Sequence, residues 1–309
     1  MKYQKISGSD LNVSAITLGT WVLGGDSWGG ASEADGCAAI HAALDAGITL
    51  IDTAPIYGFG KSEEIVGRAL KHHRDQTAIA TKCGLLWDGK KIKIDLSPDS
   101  IRREIEDSLR RLQTDWIDIY QCHWPDPQTP LPATLECLMK LKQEGKIRYI
   151  GVSNFDQDLL KKVQDITAVA TLQNQYSMLE RDIEQQVLPF CRQNGVGVIS
   201  YGPLAGGILT GKYHQPQDFE RDDARTFFYK YYSGLAFEKV RGLLKMLESI
   251  KRPLNQIAIN WVRQQPGVTS VIVGSRNPQQ VSQNTDAIGW DLTAQDLTRI
   301  QKELEALNI

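Results

Sequence analysis

Short apolar segments alternate with amphipathic segments along most of the chain, and this alternation is the feature that most constrains the fold. Strand-length apolar runs rich in β-branched residues predict buried strands, and longer segments with apolar residues three or four positions apart predict helices. Eight strands are predicted, at Ala15–Leu18, Ile48–Ile51, Ala78–Thr81, Ile117–Gln121, Tyr149–Val152, Thr171–Leu172, Val196–Ser200 and Ser270–Val273. Seven helices are predicted between them, at Glu33–Ala46, Glu63–His72, Pro98–Leu112, Ala133–Gln143, Gln157–Gln164, Ile183–Gln193 and Leu254–Gln265.

This repetition predicts an α/β protein whose parallel strands close into a (β/α)8 barrel, the TIM barrel. The 309 residues show no break in composition, so a single domain over residues 1–309 is expected. A doubly wound open sheet is the alternative, but its GxGxxG fingerprint is missing after the first strand. Lys2 to Ser14 is expected to form a β-hairpin that closes the barrel floor. Two interruptions, Gly84–Ser97 and Tyr213–Ser233, are expected to form long loops that shape a pocket.

The composition limits the partners that the chain can bind. Lys and Arg number 35 and Asp and Glu 37, so the net charge of −2 creates no field that attracts nucleic acid or an anionic membrane. A small molecule is the expected partner, and the oligomeric state stays open. The five cysteines are odd in number and lack a CxxC pair, which argues against a disulfide framework. With no apolar signal segment and no run of ~18 apolar residues, a soluble cytoplasmic protein is expected.

The segment Ile48–Leu70, ITLIDTAPIYGFGKSEEIVGRAL, joins a strand, a loop and a helix. Asp52 follows the apolar run, Tyr57 lies in the loop, and Ser62 is expected to cap the helix. Taken alone, the acid could cap a turn and the phenol could be an ordinary loop residue.

Two further polar residues follow other predicted strands. Lys82 comes after the third strand and His123 after the fourth. A lone lysine is usually surface charge, and a lone histidine is usually a core residue. In a barrel, however, the carboxyl ends of all strands meet at one face, so these two residues and the Asp52–Tyr57 loop are expected to converge.

Five motifs in this order resemble the aldo-keto reductase superfamily: LGTW at Leu18–Trp21, DTAPIYGFGKSEE at Asp52–Glu64, TK at Thr81–Lys82, CHWPD at Cys122–Asp126 and GVSNF at Gly151–Phe155. The chain looks most like the bacterial branch that reduces small sugar-like aldehydes and ketones. The resemblance implies NADP(H)-dependent carbonyl reduction, with Tyr57 as proton donor, Lys82 as activating lysine, Asp52 as its partner acid and His123 as the residue that orients the carbonyl.

Elementary chemistry is consistent with those roles. A free tyrosine has a pKa of ~10, and Lys82 is expected to lower that value by favouring the phenolate. Asp52 is expected to hold Lys82, and a neutral His123 can donate a hydrogen bond to a substrate oxygen. The reaction needs a hydride source. No metal is expected, because the chain has no HExxH motif and no pair of histidines at ligand spacing.

The second half of the chain contains the residues expected to bind the cofactor. The resemblance implies that Ser153, Asn154 and Gln173 bind the nicotinamide carboxamide and that Tyr201 stacks on the ring. The full set comprises Thr20, Trp21, Asp52, Ser153, Asn154, Gln173, Tyr201, Gly202, Pro203, Leu204, Ala205, Gly206, Lys212, Arg225, Gly274, Ser275, Arg276, Gln280, Gln283 and Asn284.

Glycines in Gly202–Lys212 leave backbone amides free to approach a pyrophosphate. The segment echoes a P-loop, but Tyr213 stands where that motif needs Ser or Thr, so an NTPase is rejected. Asn277 or Ser275 is expected to cap a helix whose N-terminus receives a phosphate. Arg276 is expected to bind the 2′-phosphate, which favours NADP over NAD.

Within the same region, the resemblance places Gln280 and Asn284 at the ribose and adenine. Gln283 departs from the family pattern, which usually has Glu there. Arg225 is a further candidate for the pyrophosphate clamp.

The substrate pocket is expected to contain Trp21, Tyr57, Trp87, His123 and Trp124, with loop aromatics from Phe227–Tyr229 and Tyr231–Tyr232. Simple loop packing is the alternative for the loop aromatics. Two other functions stay open: a non-catalytic NADP-binding regulatory subunit, and a glycosidase. The glycosidase needs two carboxylates at the mouth, and Asp126 is the only candidate beside Asp52.

Overall fold

Eight parallel strands close into a barrel in the computed structural model, which describes residues 1–25, 28–89, 91–221 and 223–307. The barrel runs in the order β3, β4, β5, β8, β9, β10, β11 and β12, and β12 pairs with β3 to close it. The strands are β1 Tyr3–Lys5, β2 Asn12–Ser14, β3 Ile16–Gly19, β4 Leu50–Asp52, β5 Ala78–Cys83, β6 Leu85–Asp88, β7 Lys91–Ile94, β8 Ile117–Cys122, β9 Ile147–Ser153, β10 Thr171–Gln173, β11 Gly197–Tyr201 and β12 Val268–Gly274. The predicted (β/α)8 barrel is confirmed.

Helices follow the barrel strands and cover the outside of the barrel. They are α1 Trp21–Gly24, α2 Glu33–Asp45, α3 Lys61–Leu70, α4 Pro98–Leu112, α5 Leu131–Gln143, α6 Gln157–Gln164, α7 Val187–Gln193, α8 Ala224–Phe228, α9 Gly234–Glu248, α10 Leu254–Arg263, α11 Pro278–Thr285 and α12 Ala294–Ala306. Each of the seven predicted helices has its counterpart, although α7 begins four residues later than predicted because a series of turns precedes Val187. None of the helices in the described ranges has the length and apolarity that crossing a bilayer requires.

The N-terminal hairpin of β1 and β2 closes one end of the barrel, as predicted. Its side chains Ile6, Leu11 and Val13 are buried in a cluster with residues from inside the barrel. Burial of such side chains contributes ~1.5–3 kcal/mol each. Because this end is plugged, a ligand reaches the barrel interior from the opposite end, where the strands have their carboxyl termini.

Helix α3 does not begin as predicted, because Ser62 is not its cap. The N-cap is Gly60, whose φ of 100° lies in the left-handed region that favours glycine. Ser62 is buried in the first turn, and its hydroxyl donates to the carbonyl of Thr20 at 2.9 Å and lies 2.7 Å from the Thr20 hydroxyl. The serine therefore ties α3 to the end of β3.

The two long interruptions differ in structure. Gly84–Ser97 contains a second hairpin, β6 paired with β7, which the sequence analysis treated as loop. Tyr213–Ser233 contains only the short helix α8 among its described residues. All five cysteines are free thiols in this structure.

Candidate active site

Asp52, Tyr57 and Lys82 meet at the carboxyl end of the barrel. Lys82 Nζ donates to Asp52 Oδ1 at 3.0 Å and Oδ2 at 2.9 Å, to the carbonyl of Thr53 at 2.9 Å and to Tyr57 Oη at 3.2 Å. Lys82 is fully buried, and Asp52 and Tyr57 are nearly so. Since ammonium and carboxylate groups are rarely buried unless they are paired, this contact holds both side chains in place.

Aromatic rings fix the orientation of Tyr57. The Trp21 ring stacks on it with centroids 5.3 Å apart, and the His123 ring meets it edge-on at 5.9 Å. The loop backbone also lies close to α1, because a Cβ atom at Gly24 would be 2.5 Å from the backbone nitrogen of Gly58. The phenol is therefore held between rigid elements with its hydroxyl toward Lys82.

The protonation state of Tyr57 differs from the sequence-based expectation. Burial, together with the Asp52 carboxylate, raises the pKa of Tyr57 well above its ordinary value, whereas Lys82 was expected to lower it. The reason is that Asp52 already compensates the charge of buried Lys82 at a distance of 2.9 Å. Burial also lowers the pKa of Lys82, against the opposing effect of Asp52.

His123 is neutral at physiological pH. Burial, aided by the Lys82 charge, lowers the pKa of His123 well below its ordinary value. A neutral imidazole has one N–H donor and one acceptor nitrogen. This state agrees with the prediction that the ring can donate a hydrogen bond to a substrate oxygen.

Four residues expected at the nicotinamide form a network with this site. Gln173 Nε2 donates to Asp52 Oδ1 at 2.7 Å, and Ser153 Oγ donates to the carbonyl of Gln173 at 2.8 Å. Asn154 has a φ of 61° and accepts from Tyr201 Oη at 2.9 Å. The bond to Asp52 uses one N–H of the Gln173 amide, so its second N–H and Oε1 are left for a carboxamide. The sequence analysis missed this bond.

The segment after β11 turns through several glycines with positive φ values. Gly202, Gly206 and Gly207 have φ values of 73°, 70° and 100°, and the last two interrupt a short 3₁₀-helix over Ala205–Thr210. A Cβ at Gly202 would lie 2.9 Å from Tyr229 Oη, so the ring packs directly on the glycine. The segment comprises Gly202, Pro203, Leu204, Ala205 and Gly206, with Lys212 after it.

The helix after β12 is capped by Asn277, whose side chain accepts from the Gln280 nitrogen at 2.9 Å. The capping alternative Ser275 instead accepts from Asn284 Nδ2 at 3.2 Å. The guanidinium of Arg276 donates to the Trp28 carbonyl, and its Nε is buried without a partner among the described residues.

Two other predicted cofactor residues have surroundings that the sequence did not indicate. The side chain of Gln283 is exposed. Arg225 is paired with Asp223, donates to Tyr213 Oη at 2.7 Å and lies 4.0 Å from the centre of the Phe219 ring. Its charge is therefore compensated within its own loop.

The predicted pocket aromatics separate into two groups. Phe228 meets Trp21 edge-on at 5.5 Å, and Trp87 lies 5.7 Å from Phe59. Tyr231 Oη donates to Glu180 at 2.8 Å. Tyr232 packs on Phe219 at 4.7 Å, and its hydroxyl donates to the carbonyl of Ala205 at 3.4 Å, in the segment after β11. A role of these two rings in the substrate pocket stays a prediction.

Trp28 is a residue at the site that the sequence analysis did not select. Its ring lies 5.5 Å from Trp21 and 6.4 Å from Tyr229, and its Nε1 is buried without a partner in the described part of the chain. Gly25 and Gly29, on either side of Trp28, are the sequence signal that could have identified a tight loop here.

Asp126 does not supply a second acid to the mouth. Its carboxylate accepts from the backbone nitrogens of Leu96 at 2.9 Å and Gln128 at 2.8 Å, and from Thr129 Oγ1 at 2.6 Å. These bonds hold the pKa of Asp126 below its ordinary value, against the effect of burial. An ionised carboxylate tied to the loop backbone is unsuited to be the general acid of a glycosidase.

The mouth of the barrel contains the buried Lys82–Asp52 pair, the protonated phenol of Tyr57 and the neutral imidazole of His123. These groups suit an enzyme that transfers a proton to a polarised substrate oxygen. The chain belongs to the aldo/keto reductase family, since the model of that family matches residues 15–305. It is therefore an oxidoreductase of carbonyl compounds that uses a nicotinamide cofactor.

Two curated relatives are similar over almost the whole chain. Aldo-keto reductase YhdN of Bacillus subtilis (strain 168) is 40% identical over 312 residues, which cover 99% of this chain and 94% of the relative. The NADH-specific methylglyoxal reductase of Escherichia coli (strain K12) is 36% identical over 335 residues, covering 99% of both chains.

Solved structures have the same fold. The glycerol dehydrogenase AKR11B4 from Gluconobacter oxydans matches with a TM-score of 0.90 and 40% identity, covering 98% of this chain and 95% of the other. Aldo-keto reductase AKR11C1 from Bacillus halodurans, in its holo form, matches with a TM-score of 0.83 and 32% identity, covering 98% and 96%.

Proposed function

We propose that this protein, as one barrel domain, catalyses the NADPH-dependent reduction of aldehydes and ketones to alcohols with Tyr57 as general acid. The observation that carries this proposal is the contact of Lys82 Nζ with both Asp52 and Tyr57 Oη in a buried site. A phenol with a raised pKa stays protonated at neutral pH, which is the form that reduction consumes.

Each residue has a separate role in the proposed reaction. Neutral His123 donates a hydrogen bond to the carbonyl oxygen and so polarises the C=O bond. Tyr57 Oη transfers its proton to that oxygen, and Lys82 donates to the phenolate that this transfer leaves. Asp52 keeps Lys82 in position. A bound reduced nicotinamide would supply the hydride for the carbonyl carbon, and solvent would return a proton to Tyr57.

The residues after the last barrel strands fit a dinucleotide. The Nε of Arg276 is a buried donor without a partner among the described residues, which suits an anionic oxygen. The chain turns through left-handed glycines at Gly202, Gly206 and Gly207, and the N-terminus of α11 begins beside Arg276, where it suits an anionic group. Ser153, Asn154 and Oε1 of Gln173 would hold the carboxamide, with Tyr201 against the ring.

NADPH rather than NADH is proposed as the preferred donor because of Arg276. A guanidinium can bind a 2′-phosphate with two parallel hydrogen bonds, and NADH lacks that group. One relative is described as NADH-specific, so the preference is a property to be measured on this chain. The substrate is proposed to be a small-molecule carbonyl compound.

The test is turnover of NADPH and of NADH with a panel of aldehydes, together with quenching of tryptophan fluorescence by each nucleotide. Binding with turnover of aldehydes supports the proposal. If well-folded protein binds neither nucleotide, the proposal is wrong. If it binds NADPH but reduces no member of the panel, the regulatory subunit becomes the better interpretation.

A further inference from the structure

Asn154, the residue that follows β9, has a backbone conformation that most side chains avoid. Its φ of 61° lies in the left-handed region, which asparagine adopts more readily than other residues that have a side chain. The last residue pair between β8 and β9 is Cys122 with Val152. The backbone nitrogen of Asn154 donates to the carbonyl of Gln173 on β10, at 3.0 Å. The backbone pairing of β8 with β9 therefore stops at the residue before His123.

The side chain of Asn154 continues the connection that the backbone ends. Its Nδ2 donates to the carbonyl of His123 at 3.0 Å and to Ser153 Oγ at 3.1 Å, and its Oδ1 accepts from Tyr201 Oη at 2.9 Å. Because a backbone carbonyl can only accept, the nitrogen of the amide must face His123, which fixes the orientation of the amide. Both N–H groups are then in use, and one lone pair of Oδ1 is left.

His123 is held mainly through its backbone. Within the described part of the chain its hydrogen bonds are both made by backbone atoms: the nitrogen donates to the carbonyl of Cys83 at 2.9 Å, and the carbonyl accepts from Asn154 Nδ2. The imidazole is held by packing, with the Tyr57 ring edge-on at 5.9 Å. A displacement of the His123 carbonyl would therefore move the ring with it.

The two distant partners of Asn154 belong to the two halves of the proposed reaction. His123 donates to the carbonyl oxygen, and Tyr201 lies against the nicotinamide ring. Asn154 connects them through one amide group. Hydride transfer needs the reacting atoms at a set distance and angle, and a misplacement of about 1 Å can cost ~10²-fold in rate. The amide of Asn154 is therefore placed to control the geometry of the transfer.

We propose that Asn154 is a positioning residue for His123: its Nδ2 holds the His123 backbone where the imidazole N–H reaches the substrate oxygen. The inference rests on the proposed function and gives Asn154 a role in the rate of reduction. This role is separate from a contact with the carboxamide, for which the remaining lone pair of Oδ1 is available. Loss of the Nδ2 donor therefore lowers kcat and leaves cofactor binding in place.

Two variants separate the roles of the amide. Asn154→Asp keeps an acceptor for Tyr201 and the carboxamide, but its carboxylate cannot donate to the His123 carbonyl. Asn154→Gly removes every side-chain contact and adopts the φ of 61° without strain. With the aldehyde that the wild type reduces fastest, both variants are expected to lower kcat at saturating NADPH by about tenfold or more. The dissociation constant of NADPH should change by less than about twofold in Asn154→Asp and rise further in Asn154→Gly.

A double-mutant cycle shows whether Asn154 acts through His123. In the His123→Ala background, Asn154→Asp is expected to change the rate by less than about twofold, because the ring that it positions is gone. Single-turnover mixing with excess enzyme measures these slow variants. Asn194→Asp is the matched control, since Asn194 Nδ2 donates to the carbonyl of Phe190 at 2.8 Å on the exposed end of α7. This control is expected to leave the rate and NADPH binding unchanged.

Three results would overturn the positioning role while leaving the reductase function intact. The first is a kcat of Asn154→Asp within about twofold of the wild type. The second is a loss in Asn154→Asp that saturating NADPH restores, because the residue would then act on cofactor binding alone. The third is an undiminished effect of Asn154→Asp in the His123→Ala background. A wild type that reduces no aldehyde contradicts the proposed function itself.

Discussion

Gln173 and Asp52 are joined by a hydrogen bond of 2.7 Å from the amide nitrogen to the carboxylate, although their strands β10 and β4 are not neighbours in the barrel. The bond crosses the interior of the barrel mouth. It couples a residue expected at the cofactor to the acid that holds Lys82.

Replacement of Gln173 by Met is expected to lower the free energy of unfolding by ~1.5–3 kcal/mol, the value of a hydrogen bond to a charged group. The thioether has similar length but cannot donate, so one oxygen of buried Asp52 loses a partner. Denaturant unfolding measures the change, with Gln193→Met on the exposed end of α7 as control. Equal stability of both variants would mean that water replaces the amide.

Tyr57→Phe is expected to reduce aldehyde reduction by ~10²–10⁴, because it keeps the stacked ring and removes the proton. NADPH binding, measured by fluorescence quenching, should stay near the wild-type value, since most of the proposed nucleotide contacts lie on later strands. Tyr3→Phe at the barrel floor is the control. If Tyr57→Phe retains wild-type activity, His123 has to be reconsidered as the proton donor.

The pH dependence of reduction follows from two pKa shifts. Tyr57 has a raised pKa, so the phenol persists above pH ~10, and His123 has a lowered pKa, so its ring is neutral above pH ~6.5. Deprotonation of Tyr57 and protonation of His123 both lie outside the neutral range. We therefore expect kcat/KM for reduction to be nearly flat from about pH 6.5 to 9, whereas alcohol oxidation, which needs the phenolate, should rise with pH. If kcat/KM for reduction falls with rising pH within that range and the fall disappears in His123→Gln, the His123 ring is not neutral throughout the range.

Arg276→Ala is expected to weaken NADPH binding by ~1.5–3 kcal/mol and to change NADH binding much less. The guanidinium also donates to the Trp28 carbonyl, so a loss of affinity that is equal for NADPH and NADH would reflect that contact. The ratio of the two dissociation constants separates the effects. Equal losses for both nucleotides would place the phosphate contact elsewhere.

The sequence predicted the parts of this site that follow from topology. Parallel strands in a closed barrel bring their carboxyl ends together, so the meeting of Lys82 and Asp52 required only the order of strands. The bond from Gln173 to Asp52 could not be predicted, because it depends on which side chains reach across the mouth. The pKa of Tyr57 was misjudged for a similar reason: the charge of Lys82 is visible in the sequence, but its compensation and the burial are not.

Local rules were less reliable than topology. Ser62 has the side chain of a helix cap, yet Gly60 takes that place because the preceding turn needs positive φ values. In the hairpin β6–β7, the segment KIKI alternates polar and apolar residues, a strand signal that was present but was interpreted as loop.

Glu104 provides a test of stability that is independent of the reaction. Its buried carboxylate accepts from the Gly84 nitrogen with both oxygens at 3.0 Å and from Ser100 Oγ at 3.2 Å. Burial raises the pKa of Glu104 to about 7. In the unfolded chain a glutamate ionises near pH ~4.3, so between that value and pH 7 the unfolded state binds fewer protons than the folded state.

Stability is therefore lost as pH rises through this interval, by about 4 kcal/mol at 1.36 kcal/mol per pKa unit. Glu104→Gln keeps an acceptor for Gly84 and carries no charge at any pH. We expect its free energy of unfolding to exceed that of the wild type above pH 7, with the excess shrinking toward zero near pH 4.5. Denaturant unfolding at pH 4.5, 6 and 8 measures this, with the exposed Glu136→Gln as control. A difference that stays constant with pH would mean that Glu104 is ionised in the folded protein throughout.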